Sequence, residues 1–200
     1  TRLLALCREF GIAAIGVSGV DGGLVKAHKR APVTLASGEV VDYGMVGDID
    51  GIDASVITRL LDAGFLPVVS PLSADASGQL LNINADTVAA AIGGAMDAEK
   101  LILCTGAPGI LERLDDPHSL ISYTDVAGLR RLREEGALSD GMLPKSSAIE
   151  SAIRGGVRRV HVISYAAPDA LLAEIFTNEG TGTLVVADTK ALSAAEQGAK

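Results

Sequence analysis

The chain has 200 residues and a formal net charge of −8, so its long-range field repels nucleic acids and anionic membrane surfaces and excludes both as expected partners. Hydrophobic residues make up 48% of the composition, while aromatic residues make up only 3%. A core of small aliphatic side chains is typical of helices packed on a mostly parallel sheet, and this length suffices for one such domain or two small ones.

Helical and strand patterns alternate along the chain, which predicts one layered α/β unit. The predicted helices cover residues 1–10, 54–64, 85–97, 124–135, 145–154 and 168–176. The predicted strands cover residues 13–19, 24–32, 38–47, 65–72, 79–83, 100–105, 158–164 and 182–187. Residues 188–200 lose the hydrophobic periodicity, which predicts a disordered tail.

Local signals refine three of these elements. A turn at Ser37–Gly38 predicts that residues 24–32 and 38–47 pair as a hairpin. Asp53 is the predicted cap of the second helix. The strand at 100–105 is a continuous apolar run, which predicts burial on both of its faces.

The cysteines and the first residues of the chain predict the cellular compartment of the protein and whether the chain is part of a longer one. Cys7 and Cys104 lie in apolar runs without a CxxC pattern, which predicts buried, reduced thiols in a cytoplasmic protein. No apolar run reaches the ~18–20 residues that span a bilayer, and no signal sequence opens the chain. An amphipathic helix begins at residue 1 without an initiator methionine, so we expect the chain to be part of a longer protein.

Polar side chains alternate where the strand at 79–83 meets the following helix. Asn82 and Asn84 are two positions apart, so on an extended backbone both amides point the same way and can hold one ligand. Asp86 falls in the first helical turn, where the helix dipole favours a carboxylate by ~0.3–1 kcal/mol. A purely structural role also fits, with Asn84 as the helix cap and Asp86 as the dipole partner.

Pro144 and Lys145 follow a glycine-containing loop and begin the predicted fifth helix. A lysine is electrostatically unfavourable at a helix N-terminus, because partial positive charge already lies there. An anion shared by Lys145 and the helix amides accounts for its presence. The alternative is a solvated surface lysine.

Residues 103–111 run from a strand into a loop with glycine and proline. Such a loop at the carboxyl end of a strand can admit a nucleotide base or phosphate, or can be an ordinary tight turn. The chain carries no Walker A motif, no strict GxGxxG, no HExxH and no Ser/His/Asp arrangement. The histidines are scattered, and we expect structural roles for His28, His118 and His161.

Four stretches together resemble the acetylglutamate kinase branch of the amino-acid kinase family, namely NINADTVAAAI, AEKLILCTGAPGIL, GALSDGMLPK and LLAEIFTNEGTGTLV. Their order and spacing also match, and the resemblance covers nearly all of the chain before the tail. NINAD is specific to the branch, whereas the PGI and GM…PK loops are shared more widely. The resemblance implies a three-layer αβα sandwich with a mostly parallel central sheet. It also implies that ATP phosphorylates the side-chain carboxylate of N-acetyl-L-glutamate, a step of arginine biosynthesis.

The resemblance implies roles for individual residues. Asn82 and Asn84 would bind the acylated glutamate, and Asp86 would organise the catalytic lysines. Lys145 would neutralise charge on the phosphates as the γ-phosphoryl group moves. Mg²⁺ would arrive with ATP, because the sequence shows no carboxylate cage for it. The residues that would frame the nucleotide are Thr105, Gly106, Gly109, Ile110, Leu111, Leu138, Ser139 and Asp140.

The resemblance also implies a division of the chain and an incomplete machinery. Residues 1–80 would form the remainder of the lobe that binds the amino-acid substrate, and residues 81–187 would form the nucleotide lobe. Gly106 stands where the family usually has aspartate or asparagine. The family's opening strand, with its lysine, and its Gly-rich loop are absent, so we expect the chain alone to be inactive. At full length, a homo-oligomer is expected.

Two alternatives stay open. A sister kinase acting on glutamate or on a carrier-linked aminoadipate belongs to the same class, although NINAD argues against it. The other alternative is a non-catalytic module, either a truncated product or an arginine sensor. The stretch with Glu174 and Gly180 resembles the part of feedback-inhibited members that contributes to their arginine site. The structural alternative for Glu174 is a solvated helix residue.

Overall fold

The computed structural model describes residues 1–116, 118–177 and 180–191. The chain forms two compact units, Thr1–Ala95 and Met96–Lys200. Within the predicted tail, Thr189–Ala191 form a short 3₁₀ turn, and residues 192–200 lie outside the described residues. No helix in the described ranges combines the length and the apolar character needed to cross a membrane.

All six predicted helices are present, and the strands are more numerous than predicted. The helices are α1 (Arg2–Glu9), α2 (Ser55–Asp62), α3 (Ala85–Ala95), α4 (Val126–Glu134), α5 (Met142–Arg154) and α6 (Ala170–Phe176). The strands are β1 (Ala14–Ser18), β2 (Val25–Lys29), β3 (Val33–Thr34), β4 (Val40–Val41), β5 (Gly47–Ile52), β6 (Leu66–Ser70), β7 (Leu72–Ala74), β8 (Leu80–Asn82), β9 (Lys100–Thr105), β10 (Tyr123–Asp125), β11 (Arg159–Ser164) and β12 (Thr183–Val186).

The first unit contains a four-stranded sheet in the order β5-β2-β7-β8. β2 pairs with β5 in antiparallel and with β7 in parallel orientation, and β7 pairs with β8 in antiparallel orientation. β1 and β6 form a separate parallel pair, and β3 and β4 form a small antiparallel hairpin. The apolar side chains that this unit buries include Leu24, Val25, Ala27, Ile57, Leu81, Ile83 and Val88.

The predicted hairpin about Ser37–Gly38 is confirmed, although its second arm runs beyond the predicted residue 47. β3 pairs with β4 next to the turn, and β2 pairs with β5 further out, with Lys29 opposite Gly47. The turn itself is correct, because Gly38 adopts a φ of +85°, which glycine tolerates without steric cost. Val40 is 65% exposed, and the predicted strand at 38–47 is divided between β4 and the start of β5.

The second unit is built around β11, in a sheet of order β10-β12-β11-β9. β9 runs parallel to β11, β12 runs antiparallel to β11, and β10 runs parallel to β12. The residues of β11 from Val160 to Ser164 are all buried, and α5 and α6 both contact this strand. Burial on both faces therefore belongs to β11.

The prediction that β9 is buried on both faces is wrong. The prediction that both cysteines are buried is wrong for Cys104. Leu103 is the only residue of β9 that is buried, because β9 is an edge strand of its sheet. Cys104 is exposed, since successive side chains of a strand point to opposite faces. Cys7 is buried, as predicted.

Side-chain carboxylates satisfy amides at the starts of α2 and α4. Asp53, the predicted cap of α2, accepts a hydrogen bond from the Ser55 amide through Oδ1 at 3.1 Å, although the formal cap position is Ala54. Asp125, predicted to lie inside a helix, ends β10 and caps α4 by accepting a hydrogen bond from the Gly128 amide at 2.9 Å.

Candidate active site

The first unit places the two asparagines on the exposed side of the segment that joins β8 to α3. Leu81 and Ile83 are buried with exposed fractions of 0% and 3%, whereas Asn82 and Asn84 are exposed. The apolar residues hold the backbone against the core, so the alternate positions must face outward. In the described part of the chain, the side-chain amide of Asn82 has no hydrogen-bond partner, which leaves it available to a ligand.

Asn84 has a structural role in addition to any binding role. Its Oδ1 accepts hydrogen bonds from the amide of Thr87 at 3.1 Å and from the Thr87 hydroxyl at 3.4 Å, which caps α3. Both contacts engage Oδ1, and the Nδ2 donor takes no part in them. Asp86 is half-buried in the first turn of the same helix, as the sequence predicts.

In the second unit, the carboxyl ends of two parallel strands lie side by side. Thr105 at the end of β9 pairs in register with Ser164 at the end of β11. The amide of Tyr165 donates a hydrogen bond to the carbonyl of Thr105 at 2.9 Å, which ties the two following segments together. Gly106 is exposed immediately beyond this pair. Ligands of α/β proteins collect at such an edge.

The loop after β9 is anchored to β12. The amide of Ile110 donates a hydrogen bond to the buried hydroxyl of Thr183 at 2.8 Å, and Ile110 is 1% exposed. A Cβ atom at Gly109 would lie 2.7 Å from both the Thr183 hydroxyl and the Leu120 side chain. Close packing therefore requires a glycine at 109. Leu111 pairs with Leu120 in an isolated bridge, so the C-terminal end of the predicted nucleotide loop is anchored at Ile110 and Leu111.

The first turn of α5 returns to the same edge as Thr105 and Ser164. α5 precedes β11 through a short turn and packs on it, so the helix runs antiparallel to the strand. Its 13 residues and the 6 residues of β11 both span about 20 Å. Lys145 lies in this first turn with an exposed fraction of 8%. The alternative of a solvated surface lysine is therefore wrong.

The burial of Lys145 limits the charge of the groups that can lie next to it. An ammonium is buried only where negative groups compensate for its lost hydration. The N-terminus of α5 adds partial positive charge to that of Lys145. Both effects favour negative charge at the carboxyl edge of β11.

The loop before α5 supplies the other predicted nucleotide residues. Leu138 is buried, and Ser139 and Asp140 are exposed. The Ser139 carbonyl accepts hydrogen bonds from the amides of Met142 and Leu143 at 2.8 and 3.1 Å, so α5 begins before the predicted residue 145. These contacts fix the loop relative to the helix that carries Lys145.

An ion cluster between α4 and α5 holds the helix in place. Arg133 donates hydrogen bonds to the fully buried hydroxyl of Ser146 at 2.8 and 3.3 Å, and its Nη2 lies 2.7 Å from Glu150 Oε1. Arg130 donates a hydrogen bond to Glu150 Oε2 at 3.0 Å. This cluster was not predicted from the sequence. Its signal is the helical spacing of the two arginines on α4 and of Ser146 and Glu150 on α5.

Glu174 is a buried residue, so the alternative of a solvated helix position is wrong. Its exposed fraction is 7%, and its Oε1 lies 2.6 Å from Nδ1 of the buried His161. Its Oε2 accepts hydrogen bonds from the amides of Thr181 and Gly182 at 2.7 and 3.2 Å. A Cβ atom at Gly180 would lie 2.8 Å from this oxygen, so the structure brings Glu174 and Gly180 together. Their role in binding arginine stays a prediction.

Glu174→Gln is expected to reduce stability in a pH-dependent way. Burial raises the pKa of Glu174, but hydrogen bonds from His161 and two backbone amides outweigh burial and lower it below the ordinary value of 4.5. The stabilisation by the carboxylate is therefore present above pH 4.5 and is lost as the pH falls through the lowered pKa. Urea unfolding from about pH 7 to about pH 3 should show a difference between the wild type and the variant that shrinks with acidification.

The exposed carboxylate of Glu135 provides the control for this measurement. Its side chain is 59% exposed, so Glu135→Gln should change the free energy of unfolding by less than ~0.5 kcal/mol at every pH. A cost of Glu174→Gln that is independent of pH would contradict the assignment of the stabilisation to the ionised carboxylate.

Comparisons with known proteins show which family the chain matches. The model of the amino acid kinase family matches residues 1–164. Acetylglutamate kinase of Myxococcus xanthus is 47% identical over 191 residues, which cover 93% of this chain and 62% of that protein. Acetylglutamate kinase of Symbiobacterium thermophilum is 45% identical over 181 residues, which cover 90% of this chain and 61% of that protein. The chain thus spans less than two thirds of the length of these relatives.

A solved structure shares the fold. The crystal structure of N-acetylglutamate synthase from Neisseria gonorrhoeae, complexed with coenzyme A and L-arginine, superimposes with a TM-score of 0.71 at 26% identity. The match covers 88% of this chain and 38% of that chain. This agreement confirms the predicted α/β fold class.

Proposed function

Because this chain belongs to the amino acid kinase family, we propose that it is the major part of an ATP-dependent kinase that phosphorylates the side-chain carboxylate of N-acetyl-L-glutamate. The product is N-acetyl-L-glutamyl 5-phosphate, an intermediate of arginine biosynthesis. The proposal concerns a protein that carries this chain at the full length of the relatives, called the full-length protein below. The observation that carries it is the burial of Lys145 in the first turn of α5.

Phosphoryl transfer depends on positioning and on charge stabilisation more than on covalent chemistry with the protein. Lys145 would offset the negative charge that spreads over the γ-phosphoryl oxygens in the transition state. A buried ammonium acts more strongly than a solvated one, because water does not screen it. The ion cluster of α4 and α5 would keep that ammonium in a fixed position.

The amino-acid substrate would bind at the exposed amides of the first unit. An amide presents one acceptor and two donors, so Asn82 can recognise the carboxylate or the acetamido group of N-acetyl-L-glutamate. Asn84 would donate through Nδ2 while its Oδ1 caps α3. Asp86 would organise the cations that surround the transferred group.

The nucleotide would bind at the loops of the second unit, Thr105–Leu111 and Leu138–Asp140. ATP would bring Mg²⁺ on its phosphates. Among the described residues, no group of three or more His, Cys, Asp or Glu side chains could hold a metal ion. Because the first unit, Thr1–Ala95, contains Asn82 and Asn84, we propose it as the substrate lobe and the second unit as the nucleotide lobe, with the boundary near residue 95 instead of residue 80. A homo-oligomeric state at full length is also part of the proposal.

The test is an assay of ADP release by the purified full-length protein. N-acetyl-L-glutamate should support turnover, and L-glutamate should not, because a free α-ammonium replaces the neutral acetamido group. Turnover with L-glutamate but not with N-acetyl-L-glutamate would favour the sister kinase that acts on glutamate. A folded protein that turns over neither substrate would favour the non-catalytic module. The 200-residue chain alone should bind ADP weakly in calorimetry without turnover.

Asn82→Ala in the full-length protein is expected to raise KM for N-acetyl-L-glutamate by about one to two orders of magnitude, with ADP affinity unchanged. The reason is the loss of a hydrogen bond to a charged group, which is worth about 1.5–3 kcal/mol. Steady-state kinetics over both substrates, with calorimetry for ADP, would measure the two effects.

Two further variants separate this binding role from structural roles. Gln79→Ala removes an exposed amide just before β8 and should leave KM unchanged. Asn84→Ala removes the cap of α3 and should also cost about 0.5–2 kcal/mol of stability, which Asn82→Ala should not. An unchanged KM in Asn82→Ala would contradict its assignment to the substrate site.

A further inference from the structure

Tyr165 lies across the position from which a side chain at residue 106 would project. A Cβ atom at Gly106 would be 3.1 Å from the Tyr165 hydroxyl and 3.5 Å from its Cζ. Gly106 is exposed, so the protein core does not exclude a larger residue there. The three heavy atoms nearest to that Cβ position all belong to Tyr165. The glycine therefore makes room for the tip of the tyrosine ring.

The backbone of Tyr165 is fixed, although its side chain is exposed. Its amide donates to the Thr105 carbonyl at 2.9 Å, directly after the parallel pairing of Ser164 with Thr105. The exposed fraction of Tyr165 is 74%. The hydrogen-bonded backbone thus presents the phenol to solvent at the edge where the proposed nucleotide loop begins. A tyrosine side chain has only two χ angles, so fixing it on a ligand costs little conformational entropy.

We propose that Tyr165 positions the nucleotide, and that its hydroxyl supplies the polar contact that glycine at 106 cannot. The inference rests on the proposed function, which places ATP at this edge. The phenol is neutral and carries one donor and one acceptor, so it suits the base or the ribose. The phosphates instead require cations, and Lys145 provides one.

The experiment compares four forms of the full-length protein by calorimetry with ADP: wild type, Tyr165→Phe, Gly106→Asn/Tyr165→Phe and Tyr43→Phe. Tyr165→Phe should weaken ADP binding about fivefold to tenfold, which is the net worth of one hydrogen bond. Its melting temperature should not change, because the hydroxyl is exposed. In the double variant, an amide at 106 replaces the lost polar group and should restore affinity to within about threefold of the wild type.

Two controls test whether the effect is specific to Tyr165 and which part of ADP this residue contacts. Tyr43 is a partly exposed tyrosine of the first unit, and Tyr43→Phe should leave ADP binding unchanged. Pyrophosphate carries the phosphates without base or ribose, so Tyr165→Phe should not alter inhibition of the kinase by pyrophosphate.

The outcomes separate this inference from the proposed function. ADP affinity equal to the wild type in Tyr165→Phe would overturn the inference alone. Equal losses for ADP and pyrophosphate would overturn the assignment to base or ribose. A folded wild-type protein that binds no ADP would overturn the proposed function, and the role of Tyr165 with it.

Discussion

Asp86→Asn in the full-length protein is expected to lower kcat by about 10²–10³ while changing KM for N-acetyl-L-glutamate less than about threefold. The substitution keeps the shape of the side chain and removes its charge. The negative charge of Asp86 would hold the cations that surround the transferred phosphoryl group. Its contribution grows as charge develops in the transition state, so the rate should suffer more than substrate binding.

A matched substitution and a stability measurement separate this role from that of a helix-start residue. Asp62 is an exposed carboxylate at the end of α2, and Asp62→Asn should leave kcat unchanged. As a dipole partner alone, Asp86 would contribute only ~0.3–1 kcal/mol to stability. An Asp86→Asn variant with wild-type kcat and a small loss in melting temperature would reduce Asp86 to that structural role.

The sequence predicted local structure well where one short segment determines it. The alternation of buried and exposed side chains around Asn82 follows from Leu81 and Ile83, the apolar residues on either side of it. The six helices follow from periodicity within each segment. The hairpin about Ser37–Gly38 follows from a local turn, whereas the pairing of β2 with β7 joins residues far apart in the sequence and has no local signal.

Burial of charged residues was not predictable from the sequence. A lysine in a first helical turn has the same local pattern whether it is solvated or buried, and the burial of Lys145 depends on how α5 packs on β11. The pairing of Glu174 with His161 likewise joins a helix to the strand that precedes it. The approach of Tyr165 to Gly106 requires the register of two parallel strands.

Lys145→Gln in the full-length protein is expected to lower kcat by about 10²–10³, the typical cost of one lost electrostatic donor. Glutamine keeps much of the length of lysine and removes the charge. Lys145→Arg keeps the charge but replaces a compact ammonium with a wide planar group, so its kcat should fall by a smaller factor. Affinity for ADP should fall less than kcat in both variants, because charge on the phosphoryl oxygens is greatest in the transition state.

Lys100 provides the control, because it is an exposed lysine at the opposite end of β9 from the candidate site. Lys100→Gln changes the net charge of the second unit by the same amount, so it tests whether a general electrostatic effect lowers the rate. We expect kcat of Lys100→Gln to equal that of the wild type, and melting temperatures should show that all variants are folded. A loss of kcat that is as large in Lys100→Gln would assign the effect to the net charge of the protein. Near-wild-type rates in both Lys145 variants would remove this residue from the active site, and the proposal of phosphoryl transfer would lose the observation that carries it.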